Sequence, residues 1–322
     1  MASRAKTNLP ISHAIDATVR KVLMERLGCP TRSISSWEGQ EASPYDLFHS
    51  TQVEKLKAEI VSAGERLWQR EYVDGNGGNI SARINEDLVL CTPTLCSKGQ
   101  LREQDLSIVD LENRQVFGDR PQTSEILLHL EIYKTVPQAK AVIHCHPPYA
   151  TAHAVAGVIP QGNLIPEQEV FVGPVALAPY ETPGTMEFAK TVVPCVRKHN
   201  TVLLANHGIV CWADTVAHAG WFVEVVETYC KTIMIASQLR VPLPEIPTEK
   251  ILELLEIKKR LGLPDARFTD ADVDVDHART QKMIPRKPLP ELEHVQQGHE
   301  IDIDNLTAEL TTRILSVLEE LA

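Results

Sequence analysis

Apolar positions along the chain change their period at regular intervals, and each change marks an element. From Val53 to Glu71 the residues Leu56, Ile60, Ala63, Leu67 and Trp68 recur at helical spacing. Gly75, Gly77 and Gly78 then break the pattern. Ile80 to Ile84 and Leu88 to Thr92 read as strands joined by Asn85-Glu86-Asp87. Ser124 to Thr135 is helical, with Thr123 or Ser124 as its cap and Pro137 beyond its end. Ala141 to His146 is a short apolar strand, and Pro147 holds His146 extended. A short helix is expected over Pro148 to Ala156 and a β-rich stretch over Val170 to Leu177. A helix follows over Thr185 to Val196, then a strand pair, Thr201 to Ala205 and Gly208 to Trp212, around Asn206-His207. Asp214 is the expected N-cap of a long helix reaching Leu239. Such alternation over roughly 190 residues predicts one mixed α/β domain without internal repeats.

Three regions are expected. Residues 1–50 form an arm with one helix at Ala14 to Leu27; residues 51–240 form the main domain; residues 241–322 form a helical extension. The extension has helices at Thr248 to Leu261 and Asn305 to Leu321, joined by a polar, Pro-containing connection. The last helix carries the stripe Leu306, Leu310, Ile314, Val317 and Leu321.

Composition narrows the function classes. The 322 residues are 43% hydrophobic and 23% charged, ordinary for a globular chain. A formal net charge of −11 argues against non-specific nucleic-acid binding, which needs clustered Lys and Arg. No apolar run reaches the roughly 20 residues that span a bilayer, and Met1 to Pro10 lacks the apolar core of a secretory signal. A cytoplasmic protein is expected. The seven cysteines are odd in number, lack a C-x-x-C pair and lie partly in apolar runs, which fits reduced, buried thiols.

Candidate chemistry lies in the histidines. His144 and His146 alternate on a strand, so both rings face one way. Two adjacent imidazolium ions would repel; a shared cation keeps both neutral. His207, beside the turn-forming Gly208, is the best third ligand, and three histidines leave an open coordination position, as catalytic zinc requires. Alone, H-x-H is equally a chance pair among twelve histidines. His129, His153 and His218, in helical stretches, read as ordinary surface or core residues. Glu125, in a first helical turn, is either a metal-site carboxylate or a complement to the helix dipole. The segment Asp74-Gly75-Asn76-Gly77-Gly78-Asn79 is either an anion-binding nest or a tight turn.

Placed in order, five segments resemble one family. They are Gly77-Gly78-Asn79-Ile80-Ser81-Ala82-Arg83 and Thr92-Pro93-Thr94; Pro121-Gln122-Thr123-Ser124-Glu125 with His129 and Ile132-Tyr133; Ala141-Val142-Ile143-His144-Cys145-His146-Pro147; and Asn206-His207-Gly208. Together they resemble the class II aldolase/adducin family over about residues 52–240. The resemblance implies an αβα sandwich around a mainly antiparallel sheet, assembled as a homotetramer with sites between subunits. It implies zinc, or another divalent metal, on His144, His146 and His207, and proton transfer by Glu125. Gly78, Asn79, Thr94, Thr123 and Ser124 fall on substrate-binding positions. The activity implied is that of a lyase cleaving a C–C bond of a small hydroxy-carbonyl substrate, such as a sugar phosphate, through a metal-stabilised enediolate.

The chain also departs from the sugar-phosphate aldolases. Leu95 stands where a glycine is expected, and Asn76 replaces a threonine. Leu164-Ile165-Pro166-Glu167-Gln168-Glu169 holds no tyrosine in the region that supplies the aldolases' catalytic one, and Glu167 and Glu169 are alternative substrate-facing groups or plain surface carboxylates. A metal-dependent decarboxylase of a hydroxy acid is therefore the second reading, followed by an epimerase or dehydratase of the same fold.

Overall fold

The structure, a computed structural model, describes residues 43–268. The helices expected at Ala14 to Leu27 and Asn305 to Leu321, and all but the first residue of the connection expected over Phe268 to His299, lie outside the described residues.

The chain divides between Glu54 and Lys55. On the N-terminal side, α1 (Pro44–Phe48) is closed by a capping box: Ser43 accepts from the Asp46 amide, and the Asp46 carboxylate takes the Ser43 amide. Helix α2 (Thr51–Gln69) continues across the division.

The remaining elements, in order, are β1 (Asn79–Arg83), β2 (Leu88–Cys91), β3 (Ser107–Asp110), β4 (Gln115–Phe117), α3 (Ile126–Thr135), β5 (Ala141–Cys145) and α4 (Pro148–Ala156). They continue with a π-helical turn (Gln168–Val172), β6 (Ala176–Ala178), α5 (Met186–Thr191), α6 (Val193–Val196), β7 (Thr201–Leu204), β8 (Gly208–Ala213), α7 (Val216–Ser237) and α8 (Thr248–Arg260). One eight-stranded sheet runs β4-β3-β2-β1-β5-β8-β7-β6. Every pairing is antiparallel except β6 with β7.

Helices cover both faces, giving the mixed α/β sandwich anticipated above. Alternate residues of the strands, among them Val89, Val142, Val202, Val210 and Trp212, join Ile126, Leu130, Phe188 and Val196 of α3, α5 and α6 in one core. On the opposite face α4 and α7 pack on β5 and β8. With both faces covered, β5 and β8 read as unbroken buried runs rather than as an alternation.

Three local expectations need correction. Thr215, not Asp214, caps α7, accepting from the His218 amide at 3.1 Å; the Asp214 carboxylate takes the His218 ring instead. The N-cap of α3 is Glu125, with no side-chain cap bond, although Thr123 Oγ1 accepts from the Glu125 amide. Of the β-rich stretch Val170 to Leu177, only Ala176 and Leu177 are strand; its start is the π-helical turn, closed where Gln168 Nε2 donates to the Gly173 carbonyl.

Candidate active site

His144 sits on β5, the strand between β1 and β8, in register with Asn79 on one side and Val210 on the other. It is fully buried. Its Nδ1–H donates to the Ile209 carbonyl at 2.8 Å, which fixes the tautomer and leaves the Nε2 lone pair free. His146 follows just past the strand end. Its amide donates to the Tyr72 carbonyl, and Pro147 begins the turn into α4. The N-terminal amides of Tyr149 and Ala150 are held by the buried Glu227 carboxylate on α7. His207 lies in the tight β7–β8 turn, where Asn206 takes the left-handed conformation (φ 56°) and the His207 amide returns to Leu204.

Two separate pieces of chain, the end of β5 and the β7–β8 turn, thus bring three histidines together. The imidazole centroids are 4.9, 4.6 and 5.1 Å apart, and one nitrogen from each ring lies within 4.8 Å of the others. His144 Nε2 and His146 Nε2 are 3.1 Å apart; ligands on a tetrahedral zinc at usual Zn–N lengths are about 3.3 Å apart. Burial, then the neighbouring His146 and His207, push the His144 pKa well below its ordinary value. Burial also lowers that of His207, with Glu125 opposing and His146 adding. Three converging imidazole nitrogens, with the His144 tautomer fixed, are the donor set that a divalent borderline metal takes, so these residues fit one.

Glu125 completes the cluster. Oε2 lies 3.3 Å from His144 Nε2, and Oε1 3.5 Å from His207 Nε2. Standing at the N-terminus of α3, the carboxylate is favoured by the helix dipole. It is not spent on capping and instead reaches across to the sheet, where Asn79 Nδ2 donates to it at 2.7 Å.

The glycine loop abuts the same place. A Cβ on Gly78 (φ 68°) would lie 2.9 Å from the His144 carbonyl, and one on Gly77 3.1 Å from His146 Nδ1. The loop is thus both a tight turn and a wall of the site. Thr94 and Thr123 belong to neighbouring loops joined through Thr94 N to Pro121 O and Thr123 N to Thr92 O. Thr94 is half-buried and Ser124 exposed, while Gly78 and Thr123 are buried. The Asn79 side chain is 3% exposed, and its two ends are taken by Glu125 and His129.

One other group fell differently from the sequence reading. Glu169 does not face a substrate: it is 1% exposed and paired with Arg267 at 2.7 Å. His129, read as an ordinary surface or core residue, belongs to the core: it is fully buried, its pKa lowered to about 3 chiefly by burial. Sequence reasoning also passed over Lys98, 2% exposed, whose Nζ donates to the carbonyls of Asn76 in the glycine loop and of Cys96. Its only signal was its place six residues beyond Thr92 in a loop already singled out.

Known proteins resemble this chain in sequence and in fold. The class II aldolase and adducin N-terminal domain family matches residues 58–234. A 3-oxo-tetronate 4-phosphate decarboxylase of Haemophilus influenzae is 33% identical over 176 residues, 53% of this chain and 83% of that protein. An L-fuculose phosphate aldolase of Methanococcus vannielii is 36% identical over 173 residues, 54% of this chain and 92% of that one. Among solved structures, YgbL from Klebsiella pneumoniae superposes with a TM-score of 0.59 at 30% identity, covering 64% of this chain and 99% of its own. The chain belongs to the class II aldolase and adducin family, and within it to the enzymes.

Proposed function

We propose that the chain is a metal-dependent lyase that breaks a C–C bond beside a carbonyl in a small hydroxylated, anionic substrate. The carrying observation is the convergence of His144, His146 and His207, with the Glu125 carboxylate bridging two of them. Zinc is the metal this neutral nitrogen set favours; when bound, it supplies Lewis-acid stabilisation of the charge that develops on the substrate's oxygens. Glu125 takes or returns the substrate proton. Its carboxylate is placed for this by Asn79 and by the start of α3. The glycine loop would offer amides, and Thr94 and Ser124 hydroxyls, to an anionic group.

Decarboxylation is the second reading, and a specific observation favours keeping it. The relatives include a decarboxylase and an aldolase of similar identity, 33% and 36%. Both reactions leave an electron pair beside a carbonyl, so one site serves either. A homotetramer in the cytoplasm also remains our reading of the assembly; Trp221, 51% exposed between apolar grooves, supports a contact face.

The test is metal analysis of the purified chain, followed by assay against L-fuculose 1-phosphate and 3-oxo-tetronate 4-phosphate, with aldehyde and CO2 measured separately. A divalent ion in wild type, lost in His144→Ala, His146→Ala, and turnover of either substrate are expected. Equal metal in that double variant would sink the centre; neither product from either compound would sink the substrate class.

A further inference from the structure

The Glu125 carboxylate is the end of a chain of buried hydrogen bonds. Asn79 Nδ2 donates to Glu125 Oε2 at 2.7 Å. Asn79 Oδ1 lies 2.5 Å from His129 Nε2. His129 Nδ1 lies 2.7 Å from Ser81 Oγ, which lies 2.8 Å from the Tyr133 hydroxyl. From Glu125 inward the five residues are 9, 3, 0, 0 and 1% exposed. The sequence encodes the chain as two stripes. Glu125, His129 and Tyr133 follow one face of α3, from its N-cap to its last turn, at intervals of four, and Asn79 and Ser81 share one face of β1.

We propose that His129 is a positioning residue: through Asn79 it fixes the orientation of the Glu125 carboxylate between His144 and His207. Donor counting carries the argument. An ionised carboxylate only accepts, so Asn79 must present its NH2 to Glu125 and its oxygen to His129. His129 must then carry its proton on Nε2, and Nδ1 accepts from the Ser81 hydroxyl. Ser81 in turn accepts from Tyr133. One assignment satisfies every member. Reversing the Asn79 amide would set its oxygen against the Glu125 carboxylate and force His129 into its other tautomer, in a region where water cannot compensate. The carboxylate is thereby held in one rotamer by a residue whose ring hydrogen-bonds Asn79 and Ser81 and not the carboxylate itself. This rests on the reading that Glu125 moves the proton.

The experiment uses the full, metal-loaded chain with whichever of the two phosphates above it turns over. His129→Phe keeps a ring and removes both polar atoms; His129→Gln keeps a donor and an acceptor. We expect His129→Phe to retain its metal and a KM within about twofold, but to lose roughly 10-fold to 100-fold in kcat, as displacement of a reacting group by about an ångström does. His129→Gln should recover much of that loss. In a Glu125→Gln background His129→Phe should cost almost nothing further, an outcome that a merely structural role would not give. Equal losses in both backgrounds, or an unchanged kcat, would overturn the proposal. A crystal structure of His129→Phe reads the brace without any turnover: the Glu125 carboxylate should leave its place between His144 and His207, and an unmoved carboxylate would overturn it. If Glu125→Gln itself keeps full turnover, the proton-transfer role fails while that structural result still judges the brace. Should His129→Phe not fold, Ser81→Ala, which removes the Nδ1 donor, gives the same cycle against Glu125→Gln with a smaller kcat loss expected, and additivity there counts against the proposal.

Discussion

A Cβ on Gly208 would lie 2.7 Å from His146 Cδ2 and 2.5 Å from the Cys145 carbonyl. The first neighbour is a site histidine; the second is backbone in the β5–β8 ladder, where Cys145 pairs with Ile209. The ring can retreat only by leaving its place beside His144 and His207, and the carbonyl only by disturbing the sheet. Gly208→Ala is therefore expected to destabilise the fold by roughly 1–3 kcal/mol, the usual cost of overpacking, and to weaken metal binding. Urea unfolding and metal competition against a chelator check it; wild-type affinity in the variant would show that His146 has room to move.

Leu95 is strained in the opposite sense. It holds a left-handed backbone (φ 50°) yet its side chain is 76% exposed, so the strain is not offset by burial. The left-handed region costs a non-glycine residue about 1–2 kcal/mol, and glycine gives back about 0.5–1 kcal/mol through a freer unfolded chain. Leu95→Gly should thus raise stability by up to about 1 kcal/mol. A lower melting temperature for the variant would mean that the leucine makes a contact this reasoning leaves out.

Much of this site was legible because its parts are local patterns. H-x-H on a strand, glycines before β1 and the turn at Asn206 each declare themselves within a few residues. What was hidden depends on pairing between distant segments. Glu125 and Asn79 are 46 positions apart, and only the β1–β5 register, with Asn79 opposite His144, brings that asparagine to the carboxylate. His129 looked ordinary because its partners lie on another element, although its spacing of four from both Glu125 and Tyr133 was visible. The β3–β4 hairpin escaped notice because Ser107–Asp110 and Gln115–Phe117 are short and mixed in polarity. Glu169 misled because a lone acid in a polar stretch gives no hint of Arg267, 98 positions away.

Lys98 makes a pH-dependent contribution whose sign follows from its burial. Burial, with Arg120 assisting, pulls its pKa from 10.5 to about 8, against the attraction of Cys96 and Glu125. Between that value and the ordinary range of lysine, near about 10.4, the unfolded chain holds a proton that the folded chain has released. This group's contribution to stability therefore rises with pH across that window and is unfavourable below it. The unfolding free energy of wild type minus that of Lys98→Met should grow between pH 7.5 and pH 9.5. Taking the difference cancels the other titrating groups, including the buried thiols of Cys91 and Cys211, which burial pushes up to about 12. A difference that stays flat with pH would remove the shift.

Beyond the family match, residues 258–267 close a four-charge cluster with no solvent access. Lys258 Nζ reaches Asp265 at 2.8 Å; Arg267 reaches Asp265 through Nε at 2.8 Å and Glu169 through Nη1 at 2.7 Å. All four side chains are 0–1% exposed. Lys258 also donates to the Val172 carbonyl, and Glu169 accepts from the Asn163 amide, so the cluster ties α8 to the π-helical turn and its loop. Two positive and two negative charges balance. Arg267→Met leaves Glu169 without its cation, so a loss of about 3–5 kcal/mol is expected, the range for breaking one side of a buried pair. Adding Glu169→Gln removes the stranded charge and should restore part of that loss, because a neutral amide costs far less to bury than an unpaired carboxylate. Double-mutant-cycle unfolding in urea measures the coupling directly. Additive effects of the two substitutions would mean that water reaches the cluster and that the C-terminal segment is held by its apolar contacts instead, through Ile251 and Leu255 of α8.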